Sequence, residues 1–507
     1  MSLESVTNSI DKAVNSLFDP VATWLTEVVF YAVPVGGTEL PLIVAWLVVA
    51  GLVFTTWFGV VQFRKFKLAI DVVRGKHDES GSPGEVNHFQ ALTAAVSGTV
   101  GLGNIAGVGV AVSIGGAGAT FWMILCGLLG MATKFVEVTL GVKYREEHED
   151  GTVSGGPMHY LPKGLADRFG NPGKIFGSIL AGLASIMILF FGLFGGNLFQ
   201  INQSYTQLAA TTGGDDGPLG SSGGALFFGV LVAALVGIVL IGGIRSIASV
   251  TSRLVPAMAI MYVLACLAVI GWNAGAVPGA IGTIIDGAFN PEGVAGGVIG
   301  ALIVGFQRAA FSNEAGLGSA PIAHSAVKTK HPASEGLVAL LEPFIDTVVI
   351  CTMTALTIVI AKPASWKVGK EVEGVSVTSD AFGTVLPWFP HLLTVAVLLF
   401  AFSTVLTWGY YGLKAWCYLF GRSRASEMLF KVIYSVFAVA GSLLSLETLI
   451  SMADAVLFML AVFNIIGLYL LAPVVKRELN SFVAHVRGAP RSGTQGADAD
   501  ADLSVKS

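Results

Sequence analysis

Eleven apolar stretches recur along the 507-residue chain, at roughly 42–62, 89–113, 118–141, 175–210, 224–243, 253–272, 296–318, 335–361, 391–420, 426–443 and 449–475. About 20 apolar residues cross the hydrocarbon core of a bilayer as a helix. Lipid offers no partner to a bare N–H or C=O, so such runs must satisfy their backbone internally, which a helix does. The fold class expected is an all-α polytopic membrane protein with about eleven transmembrane helices. Charged residues make up only 12% of the chain and hydrophobic ones 54%, where a soluble protein carries about 25% charge. No basic stripe stands outside the short loops, which argues against nucleic acid as a partner. Cys126, Cys266, Cys351 and Cys417 all fall in apolar runs without a CxxC spacing, so they read as small core residues. The first 20 residues, with Glu4 and Asp11, lack the basic and apolar regions of a cleaved signal peptide.

The flanks divide the chain into three parts. Residues 1–41 form an N-terminal segment in which 9–33, carrying Trp24, Phe30 and Tyr31, read as an interfacial helix. Residues 42–475 hold the spans. Residues 476–507 are expected to be a cytoplasmic disordered tail that contains the acidic run of 496–502. Basic loop residues set the orientation. With the N-terminus outside and the C-terminus in the cytoplasm, 21 Lys and Arg from Arg64 to Lys506 face inward, and only Lys12, Lys362, Lys367 and Lys370 face outward. A cell-membrane, multi-pass protein is therefore expected. After the first span, ten remain in two sets of five (about 89–272 and 296–475). Five is odd, so the sets run in opposite senses and make an inverted repeat by topology, although no internal identity of sequence marks it.

The first helix of each set is broken by glycine, at Ser97-Gly-Thr-Val-Gly-Leu-Gly-Asn-Ile-Ala-Gly107 and at Gly305-Phe-Gln-Arg-Ala-Ala-Phe-Ser-Asn-Glu-Ala-Gly-Leu-Gly318. A bare backbone group in hydrocarbon costs several kcal/mol, so paired breaks at corresponding places point to a transporter's midplane binding site. A broken helix offers N–H groups and a positive dipole end to a carboxylate, and carbonyls to an ammonium or a hard cation. Thr99 and Asn104 add side-chain groups to the first break, and Phe311-Ser312-Asn313-Glu314 lie in the second. The glycines also fit small-residue packing positions between helices.

Gly98-Thr-Val-Gly-Leu-Gly-Asn-Ile-Ala-Gly-Val108, Gly115-Gly-Ala-Gly-Ala-Thr-Phe-Trp-Met123, Gly155-Gly-Pro-Met-His-Tyr160 and Phe311-Ser-Asn-Glu-Ala-Gly-Leu-Gly-Ser319 resemble the alanine or glycine:cation symporter family over about residues 20–480. Ile124 stands where the family often has Trp, and Leu102 where many members have Thr. The resemblance implies a LeuT-type five-plus-five fold, coupling to Na⁺ (less often H⁺), no cofactor, and a small neutral amino acid, alanine or glycine, as cargo. It implies that Leu102, Gly103 and Asn104 present backbone N–H groups to the substrate carboxylate. Phe311, Ser312, Asn313 and Glu314 then supply carbonyls to the ammonium and one wall, and Gln200 lines the same pocket. It also implies a five-oxygen Na⁺ site made of the Ser97, Val100 and Phe400 carbonyls with the Ser403 and Thr404 hydroxyls. On the residues alone, Gln200 equally fits an interhelical hydrogen bond, and Ser403 and Thr404 fit back-bonding to their own helix.

Charges inside spans are functional hypotheses by default. Arg308 and Glu314 flank the second break and could pair or gate; Lys134 and Glu137, at i, i+3, could neutralise each other; Glu342 and Asp346, at i, i+4, could bind a cation or proton or belong to a structural network. Asp454 lies near the start of the last span, near water, while His88, His159 and His324 fall at span ends or in loops without metal-ligand spacing. A channel would show rings of like charge or repeated filter loops, and neither is present. No Ser/His or Asp/Asp pair suggests an enzyme. A carrier of the same fold with a proton as coupling ion or another cargo remains the nearest alternative.

Overall fold

A computed structural model describes residues 3–370, 374–444 and 447–488. The chain opens with α1 (Leu3–Val29), a hairpin of β1 (Ala32–Val35) and β2 (Thr38–Pro41), α2 (Leu42–Trp57), and two short helices, α3 (Val61–Arg64) and α4 (Phe66–Val73). The first set of five spans follows as α5 (His88–Thr99), α6 (Ala106–Ile114), α7 (Ala119–Lys143), α8 (Pro157–Leu193), α9 (Phe199–Thr211), α10 (Ser222–Ile241) and α11 (Gly243–Trp272). A short helix α12 (Val277–Phe289) leads to the second set: α13 (Gly297–Asn313), α14 (Ala320–His324), α15 (Pro332–Ala339), α16 (Leu341–Pro343), α17 (Thr352–Ala361), α18 (Gly374–Gly383), α19 (Phe389–Phe420), α20 (Arg424–Leu443) and α21 (Glu447–Gly488).

Among the described residues, eight helical runs are long and apolar enough to cross a membrane. A ninth is the pair α5 and α6, bent by 62°. The two remaining expected spans are shorter: α2 has 16 residues and α13 has 17 before the chain continues through α14. The first span ends at Trp57 rather than 62, because Gly59 and Val60 both turn left-handed (φ 60° and 57°). The long fourth span begins at Pro157, and Gly170 (φ 66°) with Pro172 kinks it before the bilayer-length part. A proline removes a helical N–H and a glycine accepts the left-handed turn.

α7 packs against α13 and α15, α10 against α20, and α8 between α19 and α21. Phe227, Ile238, Ile260 and Trp272 stay exposed on α10 and α11, giving the outer face the apolar coat that lipid requires. The expected boundary at 475 needs correction. α21 stays helical to Gly488, because Leu479 and Phe482 continue its buried face. Residues 489–507 of the expected tail lie outside the described residues.

Candidate functional site

The capping box at Asn87 starts α5 firmly. Asn87 Oδ1 accepts from the Gln90 N–H at 2.8 Å, and Gln90 Oε1 accepts from the Asn87 N–H at 3.1 Å. Twelve residues later the helix stops at Thr99. Val100 and Gly101 are extended, and Leu102–Asn104 form one 3₁₀ turn. The Asn104 side chain replaces the lost helical partner: its Oδ1 accepts from the Gly101 N–H at 2.9 Å. The N–H groups of Leu102 and Gly103, the first two of the new helix, find no acceptor among the described residues.

The second break is made differently. α13 ends at Asn313, and Glu314, Gly316 and Gly318 all take left-handed angles (φ 54°, 88° and 80°). The Asn313 side chain accepts from the Ala315 N–H at 3.0 Å, so the carbonyls of Phe311, Ser312 and Asn313 are left without a helical donor. Between the two breaks the start of the new helix at Leu102 therefore bares donors and the end of α13 bares acceptors.

Between them lies a cavity of about 140 Å³ lined by Leu102, Gly103, Ala106, Gly107, Val110, Gly195, Phe199, Arg308, Phe311, Ala453 and Asp454. That is far below the roughly 300–1,000 Å³ of sites for drug-sized ligands. Leu102, Gly103 and Phe311, singled out from the sequence, all line this cavity. Gln200 is buried beside the first break; its Nε2 donates weakly to the Gly195 carbonyl at 3.4 Å, and its Oε1 has no partner. A π-helical turn over Phe194–Leu198 precedes it, a distortion frequent at functional sites.

Other expected residues hold the breaks rather than face the cavity. Thr99 bonds back to the Val96 carbonyl at 3.3 Å. Asn104 and Ser312 both turn to Asp346: Asn104 Nδ2 donates to Oδ1 at 2.6 Å, and Ser312 Oγ donates to Oδ2 at 2.8 Å. Thr347 Oγ1 also donates to Oδ2 at 2.8 Å. Asn313 donates to Thr347 Oγ1 at 3.0 Å, and the Glu314 carboxylate accepts from Ser319. Asp346 is thus the junction between the two breaks. It sits in a π-helical stretch, Phe344–Cys351, directly after Pro343.

Four of the five oxygens expected to hold the cation lie close together and are joined by hydrogen bonds. Thr404 Oγ1 lies 3.2 Å and Ser403 Oγ 3.4 Å from the Ser97 carbonyl, and Ser403 Oγ is 2.9 Å from the Phe400 carbonyl. Oxygens about 3.2–3.4 Å apart suit the edges of a shell around a hard cation held at roughly 2.4 Å. Val100 lies one turn beyond Ser97, at the helix end. A Cβ on Gly101 would approach Thr404 Oγ1 to 2.7 Å, so the first break and α19 are in direct contact. Thr407, not singled out from the sequence, donates to Ser97 Oγ at 3.0 Å and completes the cluster.

The remaining intramembrane charges sort themselves. Arg308 lines the cavity with Asp454 and leaves Glu314 to Ser319, so the expected Arg308–Glu314 pairing is not formed. Glu342 and Asp346 separate, because residues one turn apart reach different levels of the bundle. Glu342 lies 3.3 Å from Lys134 and 2.5 Å from His324, while Lys134 is 3.7 Å from Glu137. His324 also meets Glu335 at 2.5 Å, and Glu335 meets His88. His88, at the start of α5, and His324, at the end of α14, are therefore buried members of an ionic ladder. The ladder ends at the second break, where Glu137 Oε2 accepts from the Gly318 N–H at 3.1 Å and from Asn464 at 3.0 Å. The spacing of these residues in sequence, up to 247 positions, carries no signal for the ladder.

A profile described as the sodium:alanine symporter family matches residues 25–494. The sodium/alanine symporter AgcS of Methanococcus maripaludis is 38% identical over 447 residues, 87% of this chain and 94% of that protein. The amino-acid carrier protein AlsT of Bacillus subtilis is 35% identical and covers 86% of this chain and 88% of its own. The probable sodium/glutamine symporter GlnT of the same organism is 31% identical, covering 87% of each. The solved structure of MhsT in complex with L-phenylalanine matches at a TM-score of 0.52 and 14% identity, over 80% of this chain and 100% of that one. That likeness is one of fold, the LeuT type with its two inverted sets of five helices.

Proposed function

Because the chain belongs to the sodium:alanine symporter family and is a multi-pass, cation-coupled amino-acid symporter, we propose that it imports alanine or glycine with Na⁺ by alternating access. The observation that carries this reading is the small cavity between complementary breaks. The N–H groups of Leu102 and Gly103 suit a carboxylate at a helix N-terminus. The carbonyls of Phe311, Ser312 and Asn313 suit an ammonium. Leu102 and Phe311 wall off larger side chains.

Na⁺ binds at Ser97, Val100, Phe400, Ser403 and Thr404, joining α19 to the end of α5. That contact fixes the Gly101 turn, and so the two N–H groups behind it. The membrane potential favours inward movement of one positive charge by about 2.3 kcal/mol per 100 mV. The N-terminus lies outside the cell membrane and the C-terminus in the cytoplasm, as the basic loops favour. On that orientation the cavity, with Arg308 and Asp454, lies on the outer side of the breaks and the ionic ladder on the inner side.

A second cargo, glutamine, is suggested by the name of the GlnT relative; the cavity volume favours the smaller one. Uptake of labelled alanine, glycine, serine and glutamine into proteoliposomes, under separate Na⁺ and H⁺ gradients, tests both. Alanine or glycine accumulation driven by Na⁺ is expected. Accumulation driven by H⁺ alone overturns the ion assignment, and glutamine preferred over alanine overturns the cargo.

A further inference from the structure

Three residues far apart in sequence meet on the face that carries the basic loops. Glu79 lies between α4 and α5, His331 immediately precedes α15, and His485 sits on the helical extension of α21. His331 Nε2 is 3.2 Å and His485 Nε2 is 3.1 Å from the same oxygen, Glu79 Oε1. The two imidazoles are close and tilted, with ring centroids 4.4 Å apart and planes inclined by 35°. The three ligand atoms all fall within 4.8 Å of one another. Lys330 Nζ approaches only the other carboxylate oxygen, at 3.6 Å, and leaves Oε1 to the imidazoles.

The two N–O separations are compatible with ligands of one coordination polyhedron. Zn²⁺ holds imidazole nitrogen at about 2.0–2.1 Å and carboxylate oxygen at about 2.0–2.2 Å. Two ligands of a tetrahedron at such distances stand roughly 3.3–3.4 Å apart, and the observed N–O separations are within a few tenths of an ångström of that. Two imidazoles and one carboxylate form a three-ligand set that leaves a fourth position to water. The surroundings hold the ligands in place. Phe482 packs on the His331 ring at 5.6 Å, and the His331 N–H donates to Thr329 Oγ1 at 3.0 Å. All three side chains are partly exposed, so an ion can reach them.

We propose that Glu79, His331 and His485 bind a divalent transition-metal cation of the Zn²⁺ type, which ties the end of α21 to the segments leading into the second and eighth spans. The site does not depend on the cargo or coupling ion proposed above. It also gives a role to the part of α21 that lies beyond the bilayer-length run.

The test uses the untagged full chain in detergent with Zn²⁺ alone as probe. Titration against a chromophoric chelator should give one Zn²⁺ per chain. His331→Ala and His485→Ala should each weaken binding by at least about tenfold, and Glu79→Gln should do the same. His77→Ala, which removes a neighbouring imidazole packed on Phe482 rather than a ligand, should leave binding unchanged and serves as the folded control. Zn²⁺ should also slow amide exchange over residues 476–488 in the parent protein, and not in the His331→Ala/His485→Ala double variant. No binding, or equal binding by the double variant, overturns the site. Binding without protection of 476–488 overturns the tether.

Discussion

In the first break a side chain replaces the missing helical partner, whereas in the second the backbone itself turns left-handed. Asn104 caps Gly101 and keeps the turn short, leaving free N–H groups that point along the new helix. Glu314, Gly316 and Gly318 carry the chain through a wider loop, leaving free carbonyls behind it. Two different devices thus yield opposite polarity at one level of the bundle. They are not independent, since Asp346 accepts from Asn104 in the first break and from Ser312 in the second. A zwitterion needs both polarities at a fixed distance, and that carboxylate sets the distance.

The largest effect is expected where both breaks are held at once. Asp346→Ala takes the shared carboxylate from Asn104, Ser312 and Thr347. Asn104 keeps the backbone carbonyl of residue 346 at 3.1 Å and Ser312 only Cys351 Sγ at 3.4 Å, and a buried donor left unmet costs about 1–3 kcal/mol. Uptake should fall by at least about 100-fold, which corresponds to roughly 2.8 kcal/mol. Asp346→Asn keeps the shape and one acceptor, so it should retain more uptake than alanine does. Equal, near-normal uptake by both variants would show that the breaks are positioned independently.

A smaller effect should fall on the first break alone. Thr404→Ala removes one of the oxygens proposed to hold Na⁺, a loss of about 1.5 kcal/mol, and should raise the half-saturating Na⁺ concentration about tenfold. Assaying Na⁺ dependence of alanine uptake checks it; an unchanged Na⁺ requirement would remove Thr404 from the ion site. The smallest effect belongs to the cavity wall. A Cβ at Gly103 would meet Phe311 and Ser312 at 3.5 Å, an ordinary contact. Gly103→Ala should therefore fold normally and narrow the space between the breaks, lowering alanine uptake severalfold more than glycine uptake. Competition between the two labelled substrates reads that ratio directly.

The breaks themselves were legible in the sequence, because glycines clustered with polar residues have few other uses inside apolar spans. The convergence of Ser403 and Thr404 on Ser97 was legible only through family resemblance. The residues alone favour back-bonding, and Ser403 does take that course with the Phe400 carbonyl at 2.9 Å, as Thr99 does with Val96. Asp346 was visible as a buried acid, but its partners lie 34 and 242 positions away, and nothing in periodicity reports which level a side chain reaches. The π-helical stretch after Pro343 and the continuation of α21 past 475 were hidden for another reason. Both depend on tertiary packing that overrides local composition. The buried ladder from His88 to Glu137 escaped because each member looks like an isolated charge until five helices, α5, α7, α14, α15 and α16, meet. Its cost is evident once they do, since removing one partner of a buried pair costs about 3–5 kcal/mol.

The central claim is that cation and amino acid share the first break, so that each orders the turn the other uses. Binding linkage tests it most directly. Calorimetric titration of the purified protein with alanine, in Na⁺ and in K⁺ buffer, should show alanine affinity at least about tenfold higher in Na⁺. Saturating alanine should raise Na⁺ affinity by the same factor. Alanine binding of equal strength in the two buffers would contradict the account.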